Sequence, residues 1–84
     1  MNRIFIHHVN VDERFMLNGQ EIHLGDRIEA LLYDDNRRPS LYQGTVTTAA
    51  DVRAAGSRLW VKFEGFYDFT LDYLMGCSVP TQFA

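Results

Sequence analysis

The chain has 84 residues, 46% of them hydrophobic and 23% charged, with a formal net charge of −3. These values describe one globular domain and exclude both a second core and a disordered chain. Eleven acids against eight bases, with no basic cluster beyond Arg37-Arg38, argue against a nucleic-acid binder, which draws most of its affinity from neutralised phosphates. The acidic excess is also too small to imitate a phosphate lattice.

Cys77 is the only cysteine, so no internal disulfide forms, and a lone thiol fits a reducing compartment. The apolar run Ile4-Phe5-Ile6 is too short for a signal peptide, and no stretch approaches a membrane span, so a cytoplasmic location is expected. A domain of this size buries only about 60–65% of its surface. Metal or oligomerisation remains as added support, and oligomerisation is the better expectation.

Taken in order, Arg3 to Val9 reads as a strand rich in β-branched and aromatic residues. Ile4 and Ile6 share one face; Phe5, His7 and Val9 share the other. Two semi-apolar faces suggest cover on both sides, as at a subunit contact. Asn10-Val11-Asp12-Glu13 reads as a polar turn. Asn18-Gly19 then separates Arg14–Leu17 from Gln20–Leu24 and predicts a type I′ hairpin, because both central residues need positive φ. Gly25-Asp26 opens the next segment, through Tyr33. Ile28, Leu31 and Leu32 also have helical spacing, but a short run between turn residues favours a strand.

Asp34 to Ser40 is a polar loop whose acids and arginines are expected to pair with each other or with water. Leu41 to Thr47 is the following strand, and Gly44 within it predicts a bend or bulge. Thr48 to Gly56 is either a short helical turn, capped by Thr48 and stopped by Gly56, or a loose hairpin loop.

The stretch Leu59 to Leu71 organises the rest. Leu59, Val61 and Phe63 alternate with Trp60, Lys62 and Glu64, the period of a half-buried strand. Gly65 supplies the reversal. A second limb sets Tyr67, Phe69 and Leu71 against Phe66, Asp68 and Thr70. So aromatic a hairpin needs more sheet to pack on, which predicts the centre of a small β-barrel. Asp72 to Gly76 follows as one helical turn. Cys77-Ser78-Val79 reads as a closing strand stopped by Pro80, with Thr81 to Ala84 as a tail.

From Gly25 to Leu74 this order of elements resembles the SH3-like barrels, and among them a Tudor domain. The residues that carry the resemblance are Gly25-Asp26-Arg27-Ile28-Glu29-Ala30, the charged loop, Tyr42-Gln43-Gly44-Thr45-Val46, Phe63-Glu64-Gly65-Phe66-Tyr67-Asp68 and Tyr73-Leu74. It implies a mainly β, SH3-like barrel with an N-terminal strand and hairpin added. In Tudor domains that bind methylated arginine or lysine, aromatics near the loop ends form a cage for the cation, and an Asn or Asp completes it. Carried over by motif, the site positions are Leu32, Tyr42, Phe63, Phe66 and Asp68. Leu32 departs from the family's usual aromatic, and Tyr33 beside it should face the other way in a regular strand. The competing reading makes Tyr42 and Phe63 barrel core. Phe66 and Asp68 are then the better surface candidates.

Other chemistry finds little support. His7 and His8 point to opposite strand faces, so a metal site would need His23 with Asp12 or Glu13, and no known ligand spacing is present. Cys77 has no Cys-His signature around it. Asp34-Asp35 sit in a hydrophilic loop beside two arginines. In length and in its Gly-Asp opening the chain is also similar to the small plasmid-type dihydrofolate reductases, but their Val-Gln-Ile-Tyr segment is replaced by Tyr67-Asp68-Phe69-Thr70. No catalytic activity and no cofactor are expected. The expected function is a protein-interaction module, possible as a homo-oligomer, that binds a peptide or modified side chain through an aromatic and acidic face. The alternative is a small effector or assembly protein that meets a folded partner through a flat surface.

Overall fold

The computed structural model describes residues 1–9 and 12–84. The chain is mainly β, 48% strand and 11% helix, in two antiparallel sheets. The first sheet holds β1 (Phe5–Val9), β2 (Asp12–Leu17) and β3 (Gln20–Glu21) in the order β1-β2-β3. Its β2–β3 turn is the expected two-residue reversal: Leu17 pairs with Gln20, and Asn18 and Gly19 have φ of 52° and 75°. The strand after it is shorter than expected, ending at Glu21, although the Ile22 amide still donates to the Phe15 carbonyl at 2.8 Å. Of the expected turn 10–13, residues 10 and 11 lie outside the described residues, while Asp12 and Glu13 are already strand.

The second sheet has the order β7-β6-β5-β4-β8. Its strands are β4 (Arg27–Tyr33), β5 (Pro39–Thr47), β6 (Trp60–Phe63), β7 (Asp68–Thr70) and β8 (Thr81–Phe83). Strand wins over helix at β4, where Ile28, Ala30 and Leu32 alternate inward. Gly44 does not mark a bulge. Register runs unbroken through it to Ile28 on one side and Phe63 on the other. A Cβ there would lie 2.7 Å from Val61 Cγ1 and 2.8 Å from the Lys62 carbonyl oxygen, so glycine is required by a close approach of β6. Residues Ala50–Val52 form a single 3-10 turn without a side-chain cap, ended by Arg53 in the left-handed region. Thr48 therefore does not cap it, and Thr47 Oγ1 instead donates to Asp51 Oδ2 at 3.0 Å.

After β7 the chain enters α1 (Leu71–Gly76), whose Thr70 hydroxyl accepts from the Tyr73 amide at 3.0 Å. The closing strand falls after Pro80, not before it. Proline has no N–H to give a ladder, but its carbonyl accepts from Leu31 at 3.0 Å and starts the pairing of β8 with β4. The expected tail is thus the last strand.

A closed barrel is not formed. Among the described residues β7 and β8 edge the second sheet without pairing with each other. Side chains complete the core in place of backbone closure: Leu71 and Leu74 from α1, Leu17 from β2 and Ile22 after β3 join Ile28, Val46 and Val61 in one buried cluster. No helix among the described residues is long and apolar enough to cross a membrane.

Candidate functional site

Two loops meet at one end of the second sheet. The first, Asp34 to Arg38, links β4 to β5. Asp34 holds it: its Oδ1 accepts from the Asn36 and Arg38 amides, both at 2.9 Å, while its own amide donates to the Arg38 carbonyl at 3.0 Å. The loop acids and arginines therefore do not pair with one another, because Asp34 serves the backbone. Asp35 is exposed and makes no side-chain hydrogen bond or ion pair among the described residues. The second loop, Glu64 to Tyr67, links β6 to β7 and turns at Gly65, with φ of 68°. It is anchored by the Glu64 amide on the Gln43 carbonyl at 2.8 Å and by a Glu64–Arg27 ion pair at 2.8 Å.

Phe66 in this loop is the hub of an aromatic cluster. Its ring centroid lies 4.3 Å from Tyr42, 5.1 Å from Tyr67 and 6.1 Å from Phe69. Phe69 in turn stacks on Tyr73 of α1 at 5.0 Å with 12° between planes. Such pairs stabilise one another beyond area burial by about 0.5–1.5 kcal/mol each. A side-chain hydrogen bond with Cys77 pushes the Tyr73 hydroxyl pKa up from its ordinary value.

The expected site residues are separated by this arrangement. Tyr42 and Phe66 come together, both half-buried and both resting on the core. Phe63 is 4% exposed and belongs to the core, with its ring edge-on to Phe69 at 6.2 Å. Leu32 is buried too. Asp68 stands opposite Lys62 in the β6–β7 register, one residue out of phase with Phe69, which faces Val61. Phe66 therefore does not share a face with Asp68. The loop 64–67 interrupts strand alternation, so the period that places Asp68 does not extend back to Phe66.

Two neighbouring cavities open on this cluster. One, about 460 Å³, lies between Asp34, Asp35, Tyr42, Phe66 and Tyr67. The other, about 360 Å³, runs from Tyr33 and Phe66 past Tyr73 to Pro80. Asp35, Phe66 and Tyr67 wall both. The second cleft exists because β8 pairs only with Ile28 to Ala30, leaving the last residues of β4 uncovered on that edge. Tyr33, Tyr67 and Tyr73 are 63%, 61% and 53% exposed around it. Three exposed tyrosines thus stand around one cleft.

Away from this end, a wider cavity of about 790 Å³ lies between the β2–β3 hairpin and the segment 55–59. Apart from Glu13, its charges are matched within the described residues. Arg14 reaches Glu21 at 2.8 Å, His23 reaches the other Glu21 oxygen at 2.5 Å, and Arg58 pairs with Asp72 at 2.8 Å. The hydrogen bond from Arg14 holds the Glu21 carboxyl below its ordinary range. No group of three or more His, Cys, Asp or Glu side chains among the described residues is placed to hold a metal ion.

Tyr33, Asp35, Tyr67 and Tyr73 are the site residues that sequence reading passed over. Strand parity sends Tyr33 away from Leu32, which holds, but the uncovered β4 edge brings both to the same cleft. Asp35 was visible only as a loop acid. Compared with family models, curated proteins and solved structures, the chain matches none.

Proposed function

We propose that this protein is a non-catalytic interaction module of the SH3-like, Tudor-like kind, which binds a peptide through a cationic side chain, plain or methylated. The observation that carries the reading is the cavity in which Tyr42 and Phe66, 4.3 Å apart, meet the free carboxylate of Asp35. Aromatic faces attract a cation through their quadrupoles, and a carboxylate at the rim adds charge without a competing partner. Asp35 takes the acidic role that the motif gives to Asp68. The adjoining tyrosine cleft then receives the peptide on either side of the cation.

The order of elements from Gly25 to Leu74 supports the same assignment: β4, a charged loop, β5, β6, a Gly-containing aromatic turn, β7 and a helical turn. The open second sheet is compatible with a barrel-like unit completed by α1 and the first sheet.

Titration with arginine and lysine peptides, methylated and unmethylated, followed by amide chemical shifts, tests the reading. The expected shifts centre on Asp35, Tyr42, Phe66 and Tyr67, and Asp35→Ala weakens them while the protein stays folded. Absence of shifts at millimolar peptide overturns the cationic reading. The tyrosine surface would then belong to a folded protein partner.

A further inference from the structure

We infer that β1 is a dimerisation edge, on which a second copy of this chain adds its own β1 in antiparallel fashion. β1 is the outer strand of its sheet and pairs with β2 alone among the described residues, from Phe5↔Met16 to Val9↔Asp12. The other sheet edges are short or occupied. β3 has two residues, β7 has three, and the outer side of β8 takes a bridge from Asn2 to Thr81. At five residues, or about 17 Å, β1 is the longest free edge among the described residues.

Soluble proteins protect such edges with lysine, proline, a bulge or a covering element. Phe5-Ile6-His7-His8-Val9 contains neither lysine nor proline, and its pairing with β2 is one-to-one throughout. The ribbon also loses its support outward. Ile4 and Leu17 at its base are buried, whereas His7, His8, Asp12, Glu13 and Arg14 are exposed. A two-stranded ribbon standing clear of a core is marginal in water. Phe5, 48% exposed, lies on this strand.

Charge identifies the occupant as a second copy in the antiparallel sense. Arg3 stands at the base of the ribbon, where its Nε donates to the Ser78 carbonyl at 3.2 Å and no carboxylate pairs with it among the described residues. Asp12 and Glu13 stand towards the tip; Asp12 meets only Arg14, at 4.0 Å, and Glu13 forms no ion pair among those residues. A two-fold antiparallel arrangement lays the base of each ribbon beside the tip of the other, so the Arg3 end of each chain faces the end that carries Asp12 and Glu13, which stand one strand behind the new edge. A parallel arrangement would set Arg3 beside Arg3. The strand itself carries no acid, lysine or arginine, so self-pairing sets no like charges in opposition at neutral pH. The interface is isologous and closes on itself, joining the two three-stranded sheets into one of six.

Light scattering after size exclusion, at micromolar to submillimolar protein, should give twice the 9.7 kDa chain mass. Glu13→Lys, on an exposed position, should weaken the dimer about tenfold, and Arg3→Glu added to it should restore association by reversing both ends of the charge match. His8→Pro should abolish it by removing a backbone donor that faces outward, since His8 stands opposite Glu13 and, as for Phe15, the Glu13 backbone turns towards β3. Because that change also disturbs the β1–β2 ribbon, His7→Lys serves beside it. A monomeric wild type across the range overturns the proposal. So does a dimer that neither Glu13→Lys nor His7→Lys weakens.

Discussion

The second sheet and the β1–β2 ribbon have similar sequence patterns and opposite fates. Both set apolar residues two apart on one face, as with Val61 and Phe63 in one and Phe15 and Leu17 in the other. In the second sheet a layer stands opposite: α1 and the base of the first sheet cover Ile28, Val46 and Val61 completely. In the ribbon only the base is covered, and exposure increases towards the tip. Alternation thus specifies which residues share a face. It does not say whether anything meets that face. One sheet became a core, and the other keeps an outer strand that pairs with β2 alone among the described residues.

The contrast is sharpest in stability. Leu74→Ala removes a fully buried side chain from α1 and should cost about 2–5 kcal/mol, read as a lower midpoint in chemical denaturation. Phe5→Ala, on the ribbon, should change the monomer by no more than about 0.5 kcal/mol. Equal losses would mean that the ribbon is as well packed as the body. Gly44→Ala tests the same body by the opposite route. Its Cβ would overlap Val61 and the Lys62 carbonyl, and backbone cannot yield as a side-chain tip can, so a loss of about 1–3 kcal/mol is expected.

Phe66→Ala lies between these cases. A fully buried phenylalanine costs about 3–5 kcal/mol to truncate, and Phe66 is half-buried, so about 2 kcal/mol is expected. The same change should remove the response to cationic peptides. A loss below about 0.5 kcal/mol would detach Phe66 from the core; an intact peptide response would detach it from the site.

The sequence carried most of what backbone chemistry decides. Asn18-Gly19 announced its turn, Val61 and Phe63 their burial, and Gly25-Asp26 the entry to β4. Errors arose where local pattern gives way to contact at long range. Gly44 suggests a bend or bulge, since a sequence does not show Val61 crossing the glycine, and the bulge is absent. Pro80 looked like a stop because its lack of an N–H is local, while its carbonyl's partner, Leu31, is far away in the chain. Phe66 was assigned to the Asp68 face because alternation was carried through a turn. The candidate site suffered most, since it is made by two loops and an uncovered edge. Tyr42 and Phe66 were named, but Asp35 and the exposed tyrosines depend on how those loops converge.

The smallest effect belongs to the first sheet itself, where Arg14 on the ribbon is bonded to Glu21 on β3 at 2.8 Å. The hydrogen bond from Arg14 lowers the Glu21 pKa from its ordinary 4.5, with attraction to Arg14 and contact with His23 acting in the same direction and burial opposing them. A carboxyl whose pKa is lower in the folded state binds fewer protons there than when unfolded. Its stabilising contribution is complete above about pH 4.5 and is lost as the pH falls through the lower folded value. Both groups are solvated, so the change in overall stability should be slight, and the direct reading is the Glu21 carboxyl itself. Its carbon resonance should titrate with a midpoint below 4.5, and Arg14→Ala should move that midpoint upward while the body remains folded. A midpoint unmoved by Arg14→Ala would show that the ribbon and β3 are not joined by this bond in solution. The ribbon would then be freer of the body than the buried base at Leu17 indicates.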